Sequence, residues 1–334
     1  MSSLQYPWSA TPQPGTTLEV APGVRWLSMP LPFQLDHINL WLLDETIVDT
    51  GIGNSETRAL WDNILVSSGD VKRIILTHYH PDHAGNAAWL CQRFGAELWT
   101  TQGEYLTAHA VRSAGAGYTA EAVLEVFRKN GLDAERRARM ATGRNRYAEL
   151  VPEFPLSYRR IIEGDRIRIG GRDWRAFIGH GHAPEHLSFF SKELNTVIAG
   201  DMLLSTISTN VSVWAIDPEG DPLRLFLESL ARYRELPEDV LVLPSHGKPF
   251  RGAHLRAEQL EKHHEARLAE LQEAIKAGPK SAADLLGVLF RRPLDAHQTF
   301  FAMGEAIAHL HYLYYAGKAR RAVGKDGIMR YEPN

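Results

Sequence analysis

Short apolar runs separated by turn residues fill the first hundred positions. The stretches 18–29, 38–43 and 46–49 have the branched, aromatic and leucine content of strands and are bounded by Gly, Pro or Asp. Asp49-Thr50-Gly51 closes the third run ahead of a helical pattern over 55–67. The run 71–76 reads as a buried strand ending at Thr77; Gly85 and a helical pattern over 86–94 follow it. Between 103 and 152 the strand pattern stops. There Ala122, Val123, Val126 and Phe127 recur at helical spacing within 119–130, and 132–141 also reads as helix. Strands resume at 174–178, 196–199 and 240–243. A long polar helix over about 253–277 leads to the break Gly278-Pro279. Beyond it come helical patterns at 281–290 and 296–316, then two strands, 319–323 and 327–331, around Gly324-Lys325-Asp326-Gly327.

Candidate chemistry collects at the strand ends. His78-Tyr79-His80-Pro81-Asp82-His83 follows the buried strand at 71–76 and packs three imidazoles and a carboxylate into one loop. Alternating side chains let His78 and His80 share one metal, while Asp82 and His83, one turn on, face a second. Gly179-His180-Gly181-His182-Ala183-Pro184-Glu185-His186 follows the run at 174–178. Asp201 follows the strand at 196–199, and His246 follows the one at 240–243. Ligand-type residues after several strands match the way α/β folds gather their sites.

With these motifs in order, the chain resembles the metallo-β-lactamase superfamily, and more narrowly its glyoxalase II-like hydrolases, over roughly residues 18–277. The resemblance implies an α/β (α+β) fold, a four-layer αβ/βα sandwich with metals at one edge between the sheets. By motif, His78, His80 and His182 hold the first metal; Asp82, His83 and His246 hold the second; Asp201 bridges them. His186 supports the site from outside, and His180 is not a ligand. Two zinc ions per chain are implied, with iron or manganese as alternatives. Activated water then attacks an electrophilic carbonyl, with Asp82 and Asp201 as the catalytic carboxylates. A thioester, acyl-CoA-like, is the leading substrate and a lactone the next. His80 stands where flavodiiron oxidoreductases carry an acid, which favours hydrolysis. The second site lacks the cysteine of true zinc β-lactamases. A mononuclear iron persulfide dioxygenase shares much of the histidine motif and is a further alternative. Asp49 supports the metal loop by hydrogen bonds, as in relatives, or simply forms a turn.

Composition bounds the remaining classes. The 334 residues are 44% apolar and include 37 Lys+Arg against 40 Asp+Glu, for a net charge of −3. That length accommodates two domains, read as 1–277 with a helical insertion at about 103–152, and a winged-helix-like module at 278–334. The charge balance argues against nucleic acid as the main partner, although a phosphodiesterase or endoribonuclease with a gripping tail is the alternative class. The single cysteine, Cys91, forms no internal disulfide and falls on an apolar helix. Residues 1–15 have neither the basic start nor the apolar core of a signal peptide, and no run reaches membrane-spanning length, so the expectation is a cytoplasmic enzyme of a small molecule with no membrane contact.

Substrate contacts are read from two segments. The insertion carries Arg136, Arg137, Arg139, Arg144 and Arg146 beside Tyr147, a clamp for an anionic substrate arm or else a solvated helix face. Along 202–214, Asn210 and Trp214 are the candidates. The helix at 296–316 is rich in apolar and aromatic side chains, which suits packing on the hydrolase domain or a second subunit in a homodimer better than groove reading.

Overall fold

A computed structural model describes residues 3–33, 35–65, 70–115, 117–141 and 146–334. The chain divides into two compact units, one of residues 1–113, 146–209 and 229–257, the other of 114–145, 210–228 and 258–334.

The first unit holds two sheets. One has seven strands in sequence order: β1 (Thr17–Ala21), β2 (Val24–Pro30), β3 (His37–Leu43), β4 (Thr46–Val48), β5 (Arg73–Ile75), β6 (Glu97–Thr100) and β7 (Arg159–Arg160). The other is ordered β13-β12-β11-β10-β9-β8, from β8 (Arg166–Ile169), β9 (Arg172–Gly179), β10 (His186–Ser191), β11 (Thr196–Gly200), β12 (Leu241–Pro244) and β13 (Phe250–Arg251). Antiparallel hairpins build β1–β4 and β8–β11, whereas β4–β7 and the pair β11/β12 run parallel.

Strand alternation separates two apolar cores. Trp26, Trp41 and Ile75 of the first sheet join Trp174, Phe189, Ile198 and Leu243 of the second in the core between them. Their strand neighbours Leu27, Leu40, Leu42 and Ile74 point the other way. They meet Trp61 and Ile64 of α1 (Ser55–Leu65) and Leu90, which lies beyond the short α2 (Pro81–Ala84) on α3 (Ala87–Phe94). On the outer face of the second sheet, Tyr233 stacks edge-on against Phe177, and its hydroxyl lies 2.8 Å from that of Ser188. Helix α4 (Gln102–Arg112) follows β6.

The insertion continues as α5 (Ala120–Lys129), α6 (Ala134–Ala141) and α7 (Arg146–Leu150), of which α5 and α6 belong to the second unit and α7 to the first. Helices α8 (Pro222–Ala231) and α9 (Ala253–Ile275) follow, then α10 (Leu286–Leu289), α11 (Ala296–Tyr315) and an antiparallel hairpin of β14 (Ala319–Val323) and β15 (Met329–Pro333). Within the second unit α11 is largely buried, with Phe300 packed against both Phe127 and Trp214 at 5.8 Å between ring centres. Its start is fixed by a capping box between Asp295 and Gln298. The hairpin's basic side chains are engaged inside the chain: Arg320 with Glu332, Arg330 with Asp326, and Arg321 with Glu219 and the Tyr314 ring. Among the described residues no helix is long and apolar enough to cross a membrane.

Candidate metal centre

Loops that follow strands of both sheets converge in the first unit. Leaving β5, Thr77 leads into His78, His80, Asp82 and His83; the β9–β10 turn supplies His182; β11 and β12 end at Asp201 and His246. The amide of Leu187 donates to the Thr77 carbonyl and that of Asn39 to the Ser245 carbonyl, tying these loops across the two sheets.

Two groups of donor atoms result. His78, His80, His182 and Asp201 form one, and Asp82, His83 and His246 the other, with the donor atoms in each group within 4.8 Å of one another. In the first, His78 Nε2 lies 2.9 Å from His80 Nδ1 and 3.2 Å from His182 Nε2. Asp201 turns Oδ2 toward that group, 3.4 Å from His182 Nε2 and 3.9 Å from His78 Nε2. Its Oδ1 faces the other, 3.6 Å from both His83 Nε2 and His246 Nε2. Asp82 Oδ2 sits 3.4 Å from His246 Nε2. Most of these side chains are buried, but His80 and Asp82 are only partly buried and mark the side nearest solvent.

Outer partners set the ring orientations. A carboxylate only accepts, so Asp49 Oδ2, 2.8 Å from His83 Nδ1, accepts a hydrogen bond from that nitrogen and leaves Nε2 facing the centre. Asp49 Oδ1 also accepts from the Thr77 amide, and Oδ2 from the Thr77 hydroxyl. The His37 carbonyl does for His246 Nδ1 what Asp49 does for His83. His186 points its Nε2 at the amide of Asp201, which donates to it over 3.1 Å. That contact needs the glycine before it: Gly200 has φ +54°, and a Cβ there would lie 2.4 Å from the His186 ring. His180 instead approaches the Pro184 carbonyl.

The electrostatics follow from burial and crowding. Burial, then the neighbouring His83 and His80 rings, hold His78 well below the ordinary histidine value, which favours the neutral ring that a cation requires. Burial raises the Asp82 carboxyl, but His83 and His246 outweigh it and hold it at about 2. Asp201 is likewise well below the usual carboxylate range, because His246, His83 and His182 outweigh its burial.

Divalent metal fits this constellation. His83 Nε2 and Asp201 Oδ1 are buried without a hydrogen-bond partner although they face each other's group. A buried polar atom usually has a partner, and these two belong to the clustered ligand-type side chains. Five imidazoles and two carboxylates suit zinc, and equally iron or manganese.

Three supporting residues escape a reading of the sequence. Glu104 of α4 is buried and accepts from the amides of Tyr79 and Glu185, at 2.9 and 2.7 Å, so one carboxylate grips both histidine loops. Burial pushes that carboxyl up to about 8 against the pull of its two donors. Asn39 donates to the carbonyls of Pro244 and Gly247 on either side of His246 and accepts from the Trp26 indole. Thr77 places its hydroxyl 3.1 Å from His78 Nδ1. Asn39 alone left a trace, as a polar residue inside an apolar strand.

The residues nominated for substrate fall in both units. Arg144 lies outside the described residues. Arg146 is exposed on α7, and Tyr147 beside it spends its hydroxyl on the Tyr79 carbonyl, 2.6 Å away. Asn210 and Trp214 belong to the second unit, where Asn210 accepts from the Ser212 hydroxyl.

Comparison with known proteins agrees with this geometry. Residues 36–246 match the family described as metallo-beta-lactamase superfamily, and 268–334 match its metallo-beta-lactamase-like, C-terminal domain. The crystal structure of a beta-lactamase domain protein from Burkholderia ambifaria is 46% identical, covers 99% of this chain and 98% of its own, and superposes with a TM-score of 0.93. A probable metallo-hydrolase, YqjP of Bacillus subtilis (strain 168), is 24% identical over 86% of this chain and 91% of its own. Hydroxyacylglutathione hydrolase GloC of Haemophilus influenzae is 23% identical over 60% of this chain and 79% of its own.

Proposed function

This chain belongs to the metallo-beta-lactamase superfamily, and we propose that it is a dinuclear metal-dependent hydrolase of ester-like carbonyls, thioesters first and lactones second. The observation that carries the reading is Asp201, with one oxygen turned to each donor group. His78, His80 and His182 would hold one ion, Asp82, His83 and His246 the other, and Asp201 both. Such a pair supplies a Lewis acid for a carbonyl oxygen and brings the pKa of water toward neutrality.

The chain's own groups do the rest. Asp49 and the His37 carbonyl keep His83 and His246 presenting Nε2, so no ring must turn when a cation arrives. The partly buried His80 and Asp82 form the approach for substrate. Asp82 and Asp201 would be occupied in holding cations and are held well below the ordinary carboxyl range, so neither would offer a proton to a leaving group. A thiolate departs without one, whereas an amide nitrogen does not, which favours thioesters over amides. The hydroxyacylglutathione hydrolases among the relatives, named for an acylated thiol, support the same class.

Metal-replete protein should be assayed against acyl thioesters, lactones, phosphodiesters and short RNA. We expect thioester turnover, with Asp201→Asn losing more than the roughly 10–100-fold that removal of an outer partner costs. Phosphodiester or RNA cleavage without thioester turnover would replace the reading, and full turnover by the metal-loaded variant would remove Asp201 from its centre.

A further inference from the structure

Asp201 carries the two oxygens that face both donor groups, yet no strand or helix holds the chain beyond it. Strand β11 ends at Gly200, and residues 201–209 run to the edge of the first unit without regular structure. Such a stretch must find donors for its carbonyls outside a sheet or helix. Two side chains outside the ligand set supply them. The Thr209 hydroxyl donates to the Asp201 carbonyl over 2.5 Å, closing the segment on itself. Arg256 lies on the part of α9 that belongs to the first unit. It donates from Nε to the Leu204 carbonyl and from Nη2 to that of Ile207, at 2.6 and 2.7 Å. Both Thr209 and Arg256 are buried.

The backbone of Asp201 is thereby tied on both sides of its Cα. Its amide donates to His186 Nε2 and its carbonyl accepts from Thr209. The same segment is packed on the loop of the other donor group. Gly247, the residue after His246, has φ +80°, and a Cβ there would meet Ser205 Oγ at 2.5 Å. A shift of 201–209 therefore moves the shared carboxylate and disturbs the neighbour of a second ligand. We propose that Thr209 and Arg256 are positioning residues for the bridging carboxylate, Thr209 through the Asp201 peptide and Arg256 through the carbonyls of the loop between them. The inference rests on the dinuclear reading of the centre. A lysine does not replace Arg256, because a single ammonium lacks the fixed fork that spans two carbonyls.

Full-length protein loaded with manganese(II) tests it, by chelator competition for affinity and electron paramagnetic resonance for coupling between the ions. The parental protein should hold two exchange-coupled ions. Thr209→Val keeps the shape of the side chain and removes the donor. It should lower affinity by about tenfold, the lower end of what loss of an outer partner costs, and weaken the coupling of the ions still bound. Thr209→Ser keeps the hydroxyl and should match the parental protein in both readouts. Arg256→Lys keeps the charge but not the fork, and should behave as Thr209→Val does. Unfolding curves establish that each variant is folded. Parental affinity and coupling in Thr209→Val overturn the proposal. So does an equal loss in Thr209→Ser and Thr209→Val, which would make the side chain a packing element. An unaltered Arg256→Lys overturns the part given to the guanidinium. If the parental protein itself holds one ion, or two uncoupled ions, the dinuclear reading fails first and the positioning role falls with it.

Discussion

An imidazole has two nitrogens, and which of them is free to meet a cation is decided outside the ligand set. At His83 that decision rests with Asp49, whose own backbone has φ +60°, a left-handed conformation that Asp and Asn tolerate better than most residues. Asp49→Asn therefore keeps the backbone but removes the charge and one of the acceptor sites shared by the Thr77 amide, the Thr77 hydroxyl and His83. Metal affinity should fall by about 10–100-fold, as read by competition with a chromophoric chelator; unchanged affinity would leave Asp49 a turn residue only. The seven converging donors were legible in the sequence because they announce themselves by type and by spacing after strands. Glu104 was not, because it acts on backbone amides, and a lone Glu in a helix looks like a solvated charge.

Glu104 also shows how one helix disciplines two loops. Its carboxyl is raised from 4.5 to about 8 in the folded protein, chiefly by burial. The unfolded chain releases this proton at lower pH than the folded one, so the contribution to stability is full below about 4.5 and is lost as pH rises through about 8. Glu104→Gln should flatten that decline in denaturant midpoints measured from pH 5 to 8.5, while lowering stability overall because Gln accepts from only one of the two amides. A variant with the parental pH slope would show that Glu104 does not titrate in this range. Elements were legible mostly where local pattern and packing agree. The apolar stretch at 18–29 instead folds as two strands, since Gly23, φ +76°, turns the chain between Ala21 and Val24. The helical pattern at 281–290 folds as a 3-10 turn, Ala283–Leu285, running into α10, and it is started by a reciprocal cap in which the Asp284 amide donates to the Ser281 hydroxyl and the Ser281 amide to the Asp284 carboxylate.

At the scale of the molecule, part of the aromatic surplus on α11 is covered from within the chain, while Phe301 and Tyr315 stay exposed. The second unit is assembled from three separated segments, and Phe127 and Trp214 from the earlier two cover Phe300. Contacts between segments so far apart leave no periodic signature, so the sequence does not say which part of the chain covers Phe300. Truncation after Ala277 should strip that cover and expose Phe127, now 3% accessible. We expect increased binding of a hydrophobic dye and light scattering from aggregates. A monodisperse truncated chain with unchanged dye binding would contradict this assembly.

The two-faced carboxylate of Asp201 makes the centre a linked system. An ion in either donor group would orient and polarise an oxygen whose twin belongs to the other, so the two occupancies would not be independent variables. By linkage, whatever the first ion does to the affinity of the second is returned in equal measure. His246→Ala removes a donor from one group only, yet it should change the affinity of the group built on His78, His80 and His182. Titration with a spectroscopically visible divalent ion would reveal that coupling as a displaced first transition; an identical first transition in both proteins would mean that the two groups fill without exchanging information.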